Sequence, residues 1–228
     1  MDRHLGMYVH AHWGYNHPYA ARTWTLDDWR GYATVLAGLG YDLIMIWPIL
    51  DTMPNPPTES DVAYLRKIGQ VIDMLHSEFG MQVLITVSPN TIANEHAAEY
   101  AFECRPFFGT DRRLNPGDAS EVELLFDQRR TLLSYLNAAD GVVVIDSDPG
   151  GYIGSTNEEF ADLLRGYLHL TTDLNPSAKL YYWMWFGWEA YNEFWRVASE
   201  TGELSIGPSA DDCEYAVRAL MAEQSDSW

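Results

Sequence analysis

Apolar residues along this chain fall into short, largely β-branched runs separated by longer amphipathic stretches. The runs are Met7 to Trp13, Tyr41 to Trp47, Met81 to Val87, Val142 to Ile145 and Lys179 to Phe186. Leu43-Ile44-Met45-Ile46 and Val142-Val143-Val144-Ile145 have no polar residue at alternate positions. That continuity marks strands covered on both faces, as in a parallel sheet. The stretches between them open on capping residues. Thr25, with Asp28 at the capping-box position, predicts a helix to about Leu39, ended by Gly40. Ser60 opens a second helix to about Phe79, stopped by Gly80. Asp118, with Glu121 at the box position, opens a third to about Ala138, and Ser155 or Thr156 opens a fourth through about Asp173. Beyond the fifth strand the pattern predicts a helix from about Glu189 to Ser199, a short strand at Leu204 to Ile206, and a last helix opened by Ser209 with Asp212. Pro48 to Pro57 and Ser88 to Gly117 read as loops.

Strands alternating with helices imply a parallel sheet with helices outside it. A closed barrel of eight such units typically needs about 250 residues. The 228 residues here offer five clear units and a sixth. The expected fold class is therefore α/β, a TIM-barrel-like (β/α) repeat forming an incomplete barrel of five to six units, in one domain over residues 1–228. A doubly wound sheet is disfavoured because no glycine-rich phosphate loop follows the first strand. Bare edge strands are an aggregation hazard, so a homo-oligomer or a partner segment is expected to complete the barrel.

Composition narrows the partners. A hydrophobic content of 47% supports one sizeable core. The net charge of -19 repels nucleic acid and anionic membrane surfaces and suits a neutral or cationic ligand. The apolar runs are too short to span a bilayer. No basic region followed by an apolar segment opens the chain, and the two cysteines, Cys104 and Cys213, form no disulfide framework. The expected location is cytoplasmic, unless a signal peptide has been removed. Nine tryptophans admit two readings, an aromatic core or a platform for sugar rings.

Chemistry in such barrels sits at the carboxyl ends of the strands. The fourth strand runs Val142-Val143-Val144-Ile145-Asp146-Ser147-Asp148 and breaks at Pro149-Gly150-Gly151. Side chains alternate along a strand, so Asp146 and Asp148 share a face. They are the candidate catalytic pair. The other strand ends supply candidate substrate-binding residues: His10, His12 and Trp13 from the first, Trp47 from the second and Asn90 from the third. The fifth offers Trp183, Trp185, Trp188 and Glu189. Acids, amides, imidazoles and indoles together suit a polyhydroxylated ligand, here a carbohydrate. That reading requires neither cofactor nor metal. Structural roles compete with it. The two aspartates can bind the amides of their own turn, Asp51 and Asn90 can be turn residues, and Glu189 can be the first acid of a helix.

The strand-four acids followed by tryptophans on later strands resemble the catalytic barrels of glycoside hydrolase family 20 and its relatives in families 18, 84 and 85, as a distant branch. The resemblance covers about residues 7–190. Family 20 carries adjacent Asp-Glu where this chain has Asp146-Ser147-Asp148. The resemblance implies substrate-assisted hydrolysis, in which the 2-acetamido oxygen of the sugar attacks its own anomeric carbon. Asp146 would orient that group and Asp148 would be the general acid/base. The implied substrate is a neutral sugar, a β-N-acetylhexosaminide.

Two other readings stay open. His10-Ala11-His12 is similar to the opening motif of the amidohydrolase superfamily, which would make this a metal-dependent hydrolase built on His10 and His12. A barrel of this kind can also bind carbohydrate without cleaving it.

Overall fold

Five parallel strands follow one another in space in the order they follow in the chain. The computed structural model describes residues 4–12, 20–145 and 156–183. Its elements are β1 (Gly6–His10), α1 (Leu26–Gly38), β2 (Leu43–Trp47), α2 (Glu59–Met74), β3 (Gln82–Val87), β4 (Thr91–Ala93), β5 (Asp111–Arg113), α3 (Ala119–Leu133), β6 (Gly141–Ile145), α4 (Asn157–Leu174) and β7 (Lys179–Trp183). The main sheet runs β1-β2-β3-β6-β7, and β4 and β5 form a separate antiparallel pair. A doubly wound sheet reverses its strand order at a switch point. This one does not, which is the winding of a (β/α) barrel and agrees with the incomplete-barrel expectation. The sixth strand and last helices expected from the sequence lie outside the described residues.

The strand register sorts side chains into two faces. Val9, Ile46, Ile85, Val142 and Leu180 align across all five strands. All five are buried. Tyr8, Met45, Leu84, Gly141 and Lys179 form the neighbouring row, whose side chains point the other way. The central strands β3 and β6 are buried nearly throughout, which is why their sequences lack alternation. The sheet curls inward. Tyr8 on β1 meets Trp183 on β7 edge to face, with ring centroids 5.1 Å apart.

The helix starts follow local chemistry. Thr25 and Asp28 close a reciprocal capping box, as do Thr156 and Glu159. Two expected starts are corrected. α2 is capped by Thr58, not Ser60, because Thr58 has Asp61 three residues on to complete the box. The Ser60 hydroxyl instead accepts the Phe102 backbone N–H at 3.0 Å. Asp118 does cap α3, but Glu121 does not return to it. The Glu121 carboxylate accepts the Asn115 N–H at 2.6 Å. Gly40 and Gly80 end their helices with φ of 87° and 62°, a conformation that side-chain-bearing residues resist. The residues between Met74 and Gly80 form one wide π-helical turn.

The stretch from Ser88 to Gly117 is not a plain loop. It contains β4, β5 and two short 3-10 turns at Ala97–Glu99 and Phe102–Cys104. Two buried arginines tie it to the barrel. Arg105 forms a two-pronged ion pair with Asp61 at 2.6 and 3.3 Å, and donates to the carbonyls of Thr52, Ala97 and Tyr100. Arg22 donates to the carbonyls of Phe102 and Arg105 at 3.2 and 2.9 Å. This excursion leaves the carboxyl end of β3 and folds back over the mouth of the sheet.

Candidate active site

His10 closes β1 and pairs in register with Trp47, the last residue of β2. Their rings lie 4.6 Å apart, tilted by 47°. The chain then turns, and the backbone N–H of His12 donates to Nδ1 of His10 at 3.1 Å. Nδ1 of His12 lies 3.3 Å from a guanidinium nitrogen of Arg22. An arginine only donates, so Nδ1 of His12 accepts. Both imidazoles therefore carry their proton on Nε2.

Burial holds both histidines neutral. It pushes His10 down to about 3, with the neighbouring His12 adding to the effect. His12 falls to about 4, mainly through burial and secondly through the Arg22 charge. Neither ring is a proton acceptor near neutral pH. They can donate from Nε2–H, and they can pack.

They do not fit a metal pair. A neutral imidazole that ligates through Nε2 keeps its proton on Nδ1 and donates from it. Here each Nδ1 faces an N–H donor. Among the described residues no three His, Cys, Asp or Glu side chains come together as a ligand set.

Folding a neutral histidine has a pH signature. His12 is only 3% exposed, and its value falls from 6.5 to about 4 on folding. Between those values the unfolded chain binds the proton and the folded one does not, so stability drops as pH falls. From pH 7 to 5 this loss is roughly 2 kcal/mol for His12. Urea unfolding at the two pH values checks it. His12→Gln is expected to shrink the difference by about that amount, and an unchanged difference would show that His12 is not held neutral.

Phe107, brought in by the excursion, closes this cluster from above. Its ring centroid lies 4.8 Å from His12, 5.9 Å from His10 and 6.5 Å from Trp47. Trp47 is thereby buried to 1% exposure. Its indole N–H donates to Asp51 at 3.0 Å. Asp51 is no exposed turn residue. It also accepts from the Ser88 hydroxyl and from Arg129 at 3.0 Å. Arg129 in turn donates to the Thr91 carbonyl and, through Nε, to the Tyr167 hydroxyl. Asp51 thus joins the second and third β/α units behind the aromatic cluster, and Arg129 extends the link to the fourth through Tyr167.

The proposed site residues fall into three groups. His10, His12 and Trp47 come together. Trp183 lies across the curled sheet against Tyr8. Asn90 is buried, and its amide donates to the Leu114 carbonyl at 2.5 Å, closing the base of the β4–β5 pair. Asn90 therefore has a structural task. Asp146, Asp148, Trp13, Trp185, Trp188 and Glu189 lie outside the described residues.

Several site residues escaped the sequence reading. Arg22, Arg129 and Phe107 come from helices and loops, where no spacing marks them. Asp111 opens β5 and is half-buried. Burial, together with the nearby Asp51 charge, holds its carboxyl above the usual range. The available signal for Phe107 was the aromatic pair in Arg105-Pro106-Phe107-Phe108, unusual for a polar connection.

No protein-family model and no curated protein sequence matches this chain. Among solved structures, the fold is similar to that of a glycoside hydrolase family 20 β-N-acetylglucosaminidase, at 12% identity and a TM-score of 0.50 over 79% of this chain and 43% of that one. It is also similar to GH5_18 from Streptomyces cattleya in complex with GlcNAc, at 18% identity and a TM-score of 0.52 over 78% of this chain and 44% of that one. The chain spans less than half the length of either structure. At these identities the likeness is one of fold: the five strands of the main sheet and the four helices between them follow the winding of a TIM-type barrel.

Proposed function

We propose that this chain is a glycoside hydrolase-like barrel acting on a neutral sugar, with a β-linked N-acetylhexosaminide as the substrate class. The observation that carries the reading is the half-buried His10 ring at the carboxyl end of β1, backed by the buried rings of His12, Trp47 and Phe107. A neutral, polar imidazole at a strand end suits a hydroxylated ligand better than an ionic one. The tryptophans that the sequence places at strand ends suit the apolar faces of a pyranose. The charge of -19 disfavours an anionic ligand. The two fold relatives, one a β-N-acetylglucosaminidase and one bound to GlcNAc, support the acetamido sugar.

In this reading Asp146 and Asp148 follow β6, directly beyond Ile145, and do the chemistry. Asp146 orients the 2-acetamido group, whose oxygen attacks the anomeric carbon. Asp148 gives its proton to the leaving oxygen, and the cyclic intermediate is opened by water with Asp148 as base. Two carboxyls so close in sequence cannot both ionise cheaply, which favours a protonated Asp148 near neutral pH. Trp13, Trp183, Trp185 and Trp188 complete the walls, Glu189 adds a polar contact, and Trp47 and Asn90 support the site from behind.

Hydrolysis of aryl glycosides tests this. The wild-type chain is expected to release the aryl group from a β-N-acetylglucosaminide, and Asp148→Asn to lower turnover roughly 100-fold or more. Unchanged turnover in Asp148→Asn would remove Asp148 from the mechanism. Binding of the glycosides with no hydrolysis of any would favour the non-catalytic barrel.

A further inference from the structure

Among the described residues, Ile49 alone has a left-handed backbone without being a glycine, at φ 62° and ψ 50°. A β-branched side chain resists that conformation. Ile49 is 1% exposed, so it belongs to the core and not to a loose loop. Strain of this kind persists only where the surroundings over-determine it, and it gathers at functional sites. Here it turns the chain just past β2 and opens the 3-10 turn Leu50–Thr52. That turn brings Asp51 back to Trp47, the last residue of β2, whose indole N–H it accepts at 3.0 Å.

Distant elements hold the carboxylate in that place. One of its oxygens accepts from Trp47, and the other accepts from the Ser88 hydroxyl and from Arg129. The corner beyond β3 is fixed by the same network. Arg129 donates to the Thr91 carbonyl at 2.7 Å, and the Tyr167 hydroxyl donates to the carbonyls of Ser88 and Pro89 at 3.1 and 2.9 Å. Asp51 is too deeply buried to touch a ligand. Its path to the mouth is short all the same. The Trp47 ring that it holds lies 4.6 Å from the half-buried His10 ring, tilted by 47°.

We infer that Asp51 is a positioning residue of the site: it sets the Trp47 ring, and through that ring the place of the His10 imidazole. The strain at Ile49 is retained because it carries the carboxylate to the indole. This role rests on the carbohydrate reading above, which puts His10 against the sugar. It goes beyond that reading by giving a buried carboxylate outside the Asp146 and Asp148 pair a share in recognition. A side chain held in place before the ligand arrives loses less freedom on binding, so the effect falls on affinity.

Steady-state hydrolysis of an aryl β-N-acetylglucosaminide by the full chain tests the role, at a temperature where circular dichroism shows each variant folded. In Asp51→Asn one oxygen remains, which serves Arg129 and Ser88 or Trp47 but not both. This variant is expected to raise KM roughly tenfold, with a smaller change in kcat. Trp47→Phe keeps a ring and removes the N–H, and the same rise is expected. Both act through one hydrogen bond, so the double variant is expected to be no worse than either single one. Asp51→Glu, which keeps the charge opposite Arg129, takes the place of Asp51→Asn if that variant does not fold. A purely structural Asp51 would lower the amount of active protein, and so apparent kcat, and leave KM where it was. An unchanged KM, or single effects that multiply in the double variant, overturns the positioning role and leaves the carbohydrate reading standing. A wild type that does not hydrolyse the glycoside overturns both.

Discussion

Asp51→Ala is expected to destabilise the protein by about 3–5 kcal/mol. The carboxylate is buried and accepts from Trp47, Ser88 and Arg129. Its removal leaves the Arg129 guanidinium charged in the core, and that charge cannot be relieved by losing a proton. Two of its remaining partners, the Thr91 carbonyl and the Tyr167 hydroxyl, are neutral dipoles. The Trp47 indole N–H also loses its acceptor, a smaller loss. For a chain of this size the thermal midpoint is expected to fall by on the order of 10 °C. Adding Arg129→Met removes the stranded charge and is expected to restore part of the loss, since an apolar pair tolerates burial better than half an ion pair. Urea and thermal unfolding of the two variants check this. A loss under about 1 kcal/mol for Asp51→Ala would show that water reaches Arg129.

The second large effect is at Arg105. Arg105→Ala strands Asp61, which is wholly buried. Asp61 keeps its bonds from the backbone and hydroxyl of Thr58, at 2.9 and 2.6 Å, so α2 retains its cap. The excursion does worse. The carbonyls of Ala97, Tyr100 and Thr52 lose their donor at once. The expected loss is again about 3–5 kcal/mol, accompanied by new protease cleavage between residues 94 and 110. Arg105→Lys is expected to rescue little. An ammonium cannot reach in the three directions that one planar guanidinium spans here. Limited proteolysis followed by mass mapping separates this local release from general unfolding. Cleavage spread evenly over the chain would show that Arg105 does not anchor the excursion in particular.

These two ion pairs mark where sequence reading stopped. The strands were legible because Val142-Val143-Val144-Ile145 is buried on both faces, and only apolar residues permit that, whereas Leu43 and Met45 in Leu43-Ile44-Met45-Ile46 are only half-buried and the run gave the strand but not its two-sided burial. The helix starts were legible where a cap and its box partner are local, as at Thr25 and Asp28. Ser60 misled because Thr58 and Ser60 are both good caps by type, and a contact 42 residues away, with Phe102, gives the Ser60 hydroxyl another task. β4 and β5 were missed because each has three residues, too few to show a period, and Asp111-Arg112-Arg113 carries no apolar residue.

The candidate site divides the same way. Chemistry at strand ends could be placed from the chain alone, because a barrel strand puts its last residues at the mouth. His10 and Trp47 were placed at strand ends on that ground, and they close β1 and β2. The protonation of His10 and His12 was not legible. It depends on an Arg22 guanidinium and a His12 peptide N–H that only folding brings to the two Nδ1 atoms. Phe107 was not legible because nothing local says that a 17-residue link between β4 and β5 turns back over the sheet.

The sequence by itself determined the succession of strands and helices, and with it the barrel winding. Periodicity and caps are near-neighbour properties, and parallel strands in chain order leave little choice of topology. The tertiary structure alone decided which polar groups meet. It paired Asp51 with Arg129 and Asp61 with Arg105, set both imidazoles with Nδ1 as acceptor and brought Phe107 to the mouth. Those outcomes depend on residues tens of positions apart sharing one buried volume, where an unpaired charge is too costly to leave alone.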